Sequence, residues 1–276
     1  MSNLSIVSII VTLFVSFILP LAFLVGYALG HKKQGIWSAW LLGALGFFVP
    51  QILIRLPILT GLSQLSGFAA FAQTHPALYG FGLAFTAGLF ELAGRYAVAR
   101  CLKNLTCRRA LAAGLGHGGI EAILITGLAY LSNVVFLVML QTGSFDAALT
   151  QTGDASQLLA ARDALVNTHW ALFLLAGYER LLAMTCHVAM SMMVCYGVHT
   201  NRVLPWTLAC LGMHTCMDFI ASISLFIGKG LSLATAYTMI YILLTAFAVL
   251  AVVILKNIRA HWATENAQEV PYDSQA

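Results

Sequence analysis

The chain has 276 residues, of which 60% are hydrophobic and only 9% are charged, and its mean hydropathy is +0.88. This composition excludes a soluble globular domain and indicates a protein that crosses a membrane several times. The net charge of +4 comes from the segments between the apolar stretches. It therefore reports membrane topology and contact with anionic lipid, and no nucleic-acid partner is expected.

Seven apolar segments are each long enough to span a bilayer, because a hydrocarbon core of about 30 Å requires about 20 helical residues. In chain order they cover residues 5–29, 36–59, 78–100, 110–140, 166–198, 203–226 and 230–256. The predicted fold class is therefore an all-α polytopic membrane protein, with a single bundle of about seven transmembrane helices within residues 1–259. Pro50, Arg55 and Pro57 interrupt the second segment, so six helices is the alternative count.

Two segments outside the spans also carry predictions. Residues 141–165 form the longest outer loop, which we predict to hold a short amphipathic helix from about Ala155 to Leu165, with Asp154 or Ser156 at its start. Residues 260–276 are polar and show no apolar periodicity, so we predict a disordered cytoplasmic tail there.

Basic residues are distributed unequally between alternate loops. One set of loops carries Lys32, Lys33, Arg100, Lys103, Arg108, Arg109, Arg202, Lys256 and Arg259, and the other set carries only Arg162 and Lys229. Because cytoplasmic loops are enriched in Lys and Arg, this asymmetry predicts an N-terminus outside and a C-terminus in the cytoplasm.

Ionisable side chains lie inside several of the apolar segments. Seven of them are Glu91, Arg95, His117, Glu121, Glu179, His187 and His214, and Arg180 and Asp218 lie close by. A charge near the bilayer centre costs roughly 2.5–3.5 kcal/mol on insertion scales, so these groups are expected to face inward. Carboxylates together with histidines are suited to moving protons or activating water.

The depth and spacing of these residues predict one shared site. At about 1.5 Å of rise per residue, the groups on four different helices fall within roughly 8 Å of one plane. Three pairs are four residues apart and share a helix face: Glu91 with Arg95, His117 with Glu121, and His214 with Asp218. The alternatives are a buried structural ion pair for the first, a glycine-rich packing surface for the second and interhelical hydrogen bonds for the third.

Four strings in these segments carry a family resemblance. They are GLFELAGRYAVAR (88–100), GLGHGGIEAIL (114–124), YERLLAMTCHVAMS (178–191) and GMHTCMDF (212–219). Together they resemble the YhfC-type family, which is grouped with the type II CAAX prenyl endopeptidases, the bacteriocin-processing membrane proteases and the PrsW-type proteases.

The resemblance implies particular site residues. The superfamily has a Glu-Glu…Arg (or Lys) motif on one helix, a His or Glu on a second and a His-x-x-x-Asn/Asp motif on a third. Glu91 and Arg95 fit the first motif and His187 fits the second. His214 and Asp218 fit the third. The chain departs from the pattern at Leu92, which stands where a second glutamate is usual. A chain in which the second carboxylate is essential would be inactive with Leu92, whereas Glu91 suffices if the second carboxylate only supports its neighbour.

The chemistry of peptide hydrolysis suggests roles for these residues. The reaction needs a base that activates water and donors for the developing oxyanion. Glu91 is the predicted base, and His187 and His214 are predicted to orient the water and stabilise the oxyanion. The predicted supporting residues are Arg95, Asp218, Glu179, Arg180, His117 and Glu121.

A zinc site is the alternative chemistry for the same residues. It would use His187, His214 and Glu91 as ligands and keep a fourth position open. The helical H-E-x-x-H signature of many zinc peptidases is absent, so the sequence favours a metal-free, glutamate-based site without a cofactor.

The sequence therefore predicts an intramembrane endopeptidase in a bacterial cytoplasmic membrane. Its expected partners are the lipid bilayer and a membrane-embedded or membrane-associated protein or peptide as substrate. One alternative is a proton-coupled transporter or channel, because proton relays also use intramembrane carboxylates and histidines. The other is a non-catalytic scaffold of the same fold, such as the scaffold subunit of gamma-secretase, which Leu92 would favour.

Overall fold

The computed structural model describes residues 2–32, 34–151 and 155–268, with side chains as far as Thr264. The described residues form ten helices and no sheet. They are α1 (Asn3–Gly30), α2 (Ile36–Ser63), α3 (Ser66–Thr74), α4 (Pro76–Cys101), α5 (Cys107–Thr142), α6 (Ser144–Gln151), α7 (Ser156–Asn167), α8 (Trp170–His199), α9 (Val203–Phe226) and α10 (Leu233–Gln268). Seven of these helices are long and apolar enough to cross a membrane, which confirms the predicted fold class and helix count.

Three of the long helices contain a wider, π-helical stretch. These stretches are Phe14–Ile18 in α1, Phe48–Arg55 in α2 and Ala122–Gly127 in α5. The stretch in α2 includes Pro50, which has no backbone N–H to donate and therefore disturbs the regular hydrogen-bond ladder. The second apolar segment nevertheless stays helical throughout, so the alternative count of six helices is wrong.

The segments outside the spans agree in part with the sequence. The helix predicted in the outer loop is confirmed as α7, whose first residue is Ser156. Asp154 and Lys33 lie outside the described residues. Helix α10 extends to Gln268, which differs from the disordered tail predicted from residue 260, and residues 269–276 lie outside the described residues.

The chain packs as two compact units. Unit 1 comprises Met1–Phe23 and Glu121–Leu181, and unit 2 comprises Leu24–Ile120 and Leu182–Ala276. The core of unit 1 is a small apolar cluster around Ile9, Tyr130 and Phe173. Within that unit, the Thr12 hydroxyl donates to the Phe173 carbonyl at 2.6 Å, which satisfies a polar group in an apolar setting.

The core of unit 2 is rich in small and sulfur-containing side chains. Met190, Met192 and Met193 of α8 pack there with alanines of α5 and with Trp262 of α10. Many large apolar side chains of the protein remain exposed, such as Ile242, whose exposed fraction is 64%. A lipid bilayer covers such a surface without penalty, so this exposure accords with an integral multi-pass membrane protein.

Glycines allow α5 to pack closely against two other helices of unit 2. A Cβ on Gly116 would lie 2.0 Å from the carbonyl oxygen of Trp40 in α2, and a Cβ on Gly114 would lie 2.9 Å from Cα of Val188 in α8. Any larger residue would therefore force these backbones apart. The close approach fixes the position of His117, which follows on α5.

Candidate active site

Four helices bring polar side chains together in the otherwise apolar core of unit 2, two of them through only the part of the helix that belongs to this unit. Helix α4 supplies Glu91 and Arg95, α5 supplies His117, α8 supplies His187 and α9 supplies His214. Each of these five side chains belongs to a residue that is at most 3% exposed. The inward orientation that insertion energetics predicts is therefore confirmed for all five residues.

Atom Oε2 of Glu91 is the point on which the other groups converge. Arg95 Nη2 lies 3.1 Å from it and His117 Nε2 lies 3.0 Å from it. Nδ1 of His187 and Nδ1 of His214 are each 3.7 Å away. One potential ligand atom from each of Glu91, His187 and His214 lies within 4.8 Å of the others, which confirms the predicted clustering of these three residues.

The guanidinium of Arg95 also contacts the two histidine nitrogens that face Glu91. Its Nη2 lies 2.5 Å from His187 Nδ1, and its Nη1 lies 3.5 Å from His214 Nδ1. A guanidinium can only donate, so both imidazole nitrogens must be unprotonated acceptors in this arrangement. A neutral His187 therefore carries its proton on Nε2.

Asp218 extends the site toward the surface of unit 2. Its Oδ2 lies 3.2 Å from His214 Nε2, and its side chain is 33% exposed. Because Asp218 accepts from Nε2–H, the lone pair of His214 is left on Nδ1, which faces Glu91. The carboxylate thus sets both the tautomer and the orientation of the ring.

His117 is held by ring packing as well as by Glu91. Its ring meets Phe47 edge-on at a centroid distance of 5.5 Å and stacks on His187 at 5.4 Å. Its Nε2–H donates to Glu91. The sequence indicated only a supporting role for His117, and the structure brings it into direct contact with the predicted base.

The remaining supporting candidates contact one another within unit 1. Glu121, Glu179 and Arg180 belong to unit 1. There Arg180 Nη1 lies 3.2 Å from Glu121 Oε1, and Arg180 Nη2 lies 2.5 Å from Glu179 Oε1. This set is a partly buried ion cluster, and its contribution to the site around Glu91 stays a prediction.

The sequence analysis missed one polar residue of unit 2, Ser191, and did not predict that Arg55 would be buried. Ser191 lies one turn after His187 on α8, and its buried hydroxyl has no hydrogen-bond partner among the described residues. It lines a cavity of about 10 Å³ together with Arg95 and His117. The spacing of four residues between His187 and Ser191 was the available signal. Arg55 is also buried, and it donates to the Leu83 carbonyl at 2.6 Å.

Leu92, which stands where the superfamily motif usually has a second glutamate, packs among apolar residues. Leu92 is partly buried against the methionine- and alanine-rich core of unit 2. A carboxylate at this position would therefore meet apolar neighbours, so Glu91 is the glutamate of this motif that reaches the polar cluster.

The donor set at the centre of the site suits a zinc ion by type and spacing. Two imidazole nitrogens and one carboxylate are the ligands of several catalytic zinc sites, with ligand bonds of about 2.0–2.2 Å. Donor atoms 3.7 Å apart are close to the separation that such bonds require. The guanidinium of Arg95 contacts the same three donors, so the set fits a metal ion only when Arg95 turns away.

Comparison with known proteins places these helices in a family. The family model described as YhfC intramembrane metalloprotease matches residues 15–243, a range that includes every residue of the site. The chain is also 34% identical over 193 residues to the uncharacterized membrane protein YhfC of Bacillus subtilis (strain 168), and the alignment covers 69% of this chain and 74% of the relative. No solved structure matches the chain significantly.

Proposed function

The chain belongs to the family of YhfC intramembrane metalloproteases, and on that premise we propose that it is an intramembrane endopeptidase. Its substrate would be a membrane-embedded or membrane-associated protein or peptide. The observation that carries the proposal is the convergence of one arginine and three histidines on the buried carboxylate of Glu91. Such a set serves catalysis better than helix packing, because a single partner would have sufficed to neutralise the carboxylate.

Glu91 is the proposed general base. The hydrogen bonds that the structure gives it, from Arg95 and His117, both go to Oε2. Oε1 is therefore the oxygen that can accept a proton from an attacking water and return it to the amine nitrogen as the peptide C–N bond breaks. Contact with Arg95 and His117 holds the carboxylate in place, so the base does not have to reorganise during the reaction.

His187, His214 and Arg95 are proposed to surround the reacting carbonyl. The imidazoles face Glu91 through Nδ1. The single lone pair of each Nδ1 can accept from a bound water once its hydrogen bond from Arg95 is released. The guanidinium contributes positive charge where the oxyanion develops. Asp218 is the proposed orienting partner of His214, since it accepts from the opposite ring nitrogen.

Peptide access requires the helices around the site to part. The five central residues are at most 3% exposed, and the cavity beside Arg95 and His117 has about 10 Å³, enough for about one water molecule. The Asp218 side chain is the site group that reaches the surface of unit 2, so we propose that water and substrate enter along α9 past Asp218.

Zinc is the alternative, because the matching family is described as one of metalloproteases. Glu91, His187 and His214 would hold the ion. A bound zinc supplies a Lewis acid and a water that ionises near neutral pH. In that case Glu91 would serve as a ligand, and His117 is the remaining titratable group in contact with it that could move a proton.

The test is peptide hydrolysis by the purified protein after exhaustive treatment with a strong chelator. The metal-free proposal expects activity to persist in the treated protein and to disappear in Glu91→Gln and His214→Ala. The surface carboxylate of Asp163, which pairs with Arg162 on α7, offers the control variant Asp163→Asn, and its activity should equal that of the wild type. Inactivation by the chelator that zinc reverses would replace the glutamate-based mechanism by the zinc mechanism. Full activity in Glu91→Gln would refute both.

A further inference from the structure

Arg95 makes the contacts that a metal ion at this site would make. Nη2 lies 3.1 Å from Glu91 Oε2 and 2.5 Å from His187 Nδ1. Nη1 lies 3.5 Å from His214 Nδ1. One cationic group therefore contacts every residue of the candidate ligand set.

A metal ion and the guanidinium cannot use these atoms at the same time. An unprotonated imidazole nitrogen has one lone pair, which either accepts a hydrogen bond or binds a metal. His187 Nδ1 currently accepts from Arg95. In addition, a divalent cation beside a desolvated guanidinium would be repelled, because few polar groups are present to screen the two like charges. Entry of a metal ion therefore requires Arg95 to leave.

The structure offers Arg95 a second polar position. Its side chain lines the cavity of about 10 Å³ that also borders Ser191 and His117. The Ser191 hydroxyl is buried without a hydrogen-bond partner among the described residues, and so is Nε of Arg95 itself. A buried hydroxyl without a partner is unfavourable. The cavity has room for about one water-sized group, so one nitrogen of a displaced Arg95 guanidinium could enter it and donate to the Ser191 hydroxyl.

We propose that Arg95 is a movable internal cation. It closes the ligand set of Glu91, His187 and His214 when no metal ion is bound, and it withdraws toward Ser191 when a divalent ion enters. This inference rests on the same site as the proposed peptidase. Its test measures metal binding without substrate, so failure of the peptidase reaction and failure of this inference are separate results.

In the experiment, the chelator-treated, full-length protein in detergent is titrated with Co²⁺, whose visible absorption reports four-coordinate binding. Zn²⁺ is then added to displace the bound Co²⁺, which gives the zinc affinity. Arg95→Gln should bind zinc at least tenfold more tightly than the wild type, which corresponds to about 1.4 kcal/mol. The zinc affinity of Arg95→Lys should lie between those of Arg95→Gln and the wild type. An ammonium keeps the positive charge but cannot contact three acceptors at once, as the forked guanidinium does. The control Arg55→Gln also removes a buried arginine of a membrane helix, one that donates to Leu83 and Thr86, and should leave zinc affinity unchanged.

A second variant tests where Arg95 goes. Ser191→Ala should weaken zinc binding in the protein that has Arg95, because the displaced guanidinium loses its acceptor. The same change should have no effect in the Arg95→Gln background, where no guanidinium has to be accommodated. Equal effects in both backgrounds would contradict the proposed withdrawal toward Ser191.

Three results would overturn the inference. The first is zinc affinity in Arg95→Gln and Arg95→Lys no higher than in the wild type. If Arg95→Gln does not fold, the comparison of Arg95→Lys with the wild type decides alone. The second is an unchanged cobalt spectrum in Glu91→Gln, which would mean that the metal binds elsewhere. The third is the absence of metal binding by every variant, which would remove the ligand set while leaving a metal-free peptidase intact.

Discussion

Removal of the Arg95 side chain should destabilise unit 2 strongly. In Arg95→Ala, the buried carboxylate of Glu91 loses its 3.1 Å ion pair and keeps only the hydrogen bond from His117 at 3.0 Å. His187 Nδ1 loses its donor as well. A carboxylate whose residue is 3% exposed cannot be hydrated in compensation, so the variant leaves an uncompensated charge inside the bundle.

The size of the effect follows from the geometry of the pair. Breaking a buried pair by removing one partner costs about 3–5 kcal/mol. For a protein of this size each kcal/mol shifts the melting temperature by about 2–4 °C, so the apparent melting temperature should fall by about 6–20 °C. The double variant Arg95→Ala/Glu91→Gln should recover more than half of this loss, because it no longer contains the stranded charge.

The chain contains its own probes for this measurement. Cys186, Cys195 and Cys210 are buried in the core of unit 2, whereas Cys101 and Cys216 are exposed. A fluorogenic thiol reagent added during heating therefore reports the opening of this core, once the exposed thiols have been blocked. An apparent melting temperature of Arg95→Ala equal to that of the wild type would refute the reasoning. So would a double variant Arg95→Ala/Glu91→Gln that melts no higher than Arg95→Ala.

Two further predictions concern the motif departure and the topology. Leu92→Glu should destabilise the protein by several kcal/mol without raising peptidase activity, because the new carboxylate would meet the apolar core of unit 2. Thermal melting and activity of this variant, with Leu92→Met as the control, measure both effects, and increased activity would contradict the packing argument. Reporter fusions after residue 276 should be active on the cytoplasmic side, as the placement of basic residues predicts. An external reporter signal would reverse the predicted orientation.

The parts of the site that depend on one helix were predictable from the sequence. Glu91 with Arg95 and His214 with Asp218 are four residues apart, and helical periodicity alone places each pair on one face. Depth along the helices also predicted that His187 would reach the same level. These predictions needed only the rise per residue and the requirement that charges avoid lipid.

The parts that depend on which helix faces meet were not predictable. His117 and Glu121 share a spacing of four residues, yet His117 contacts Glu91 in unit 2 whereas Glu121 contacts Arg180 in unit 1. The contact between His117 and Glu91 arises because Gly114 and Gly116 let α5 pack closely against α8 and α2. No periodicity encodes that choice of partner helix, since every glycine-containing face is a possible packing surface.

The position of Arg95 on the same helix as Glu91 explains how such a site can enter a membrane. A carboxylate and its cation four residues apart on α4 form their pair as soon as the helix forms, before the other helices have packed. Neutralisation during insertion therefore depends neither on His187 and His214, which come from helices that follow later in the chain, nor on a metal ion. After the helices have packed, the guanidinium lies beside His187 and His214. There it can take part in the chemistry or give way to a metal ion. Arg95 thus first lowers the free energy of inserting α4 into the membrane and only afterwards serves the active site. Variants at Arg95 should therefore reduce the amount of inserted protein more than variants at His187 do.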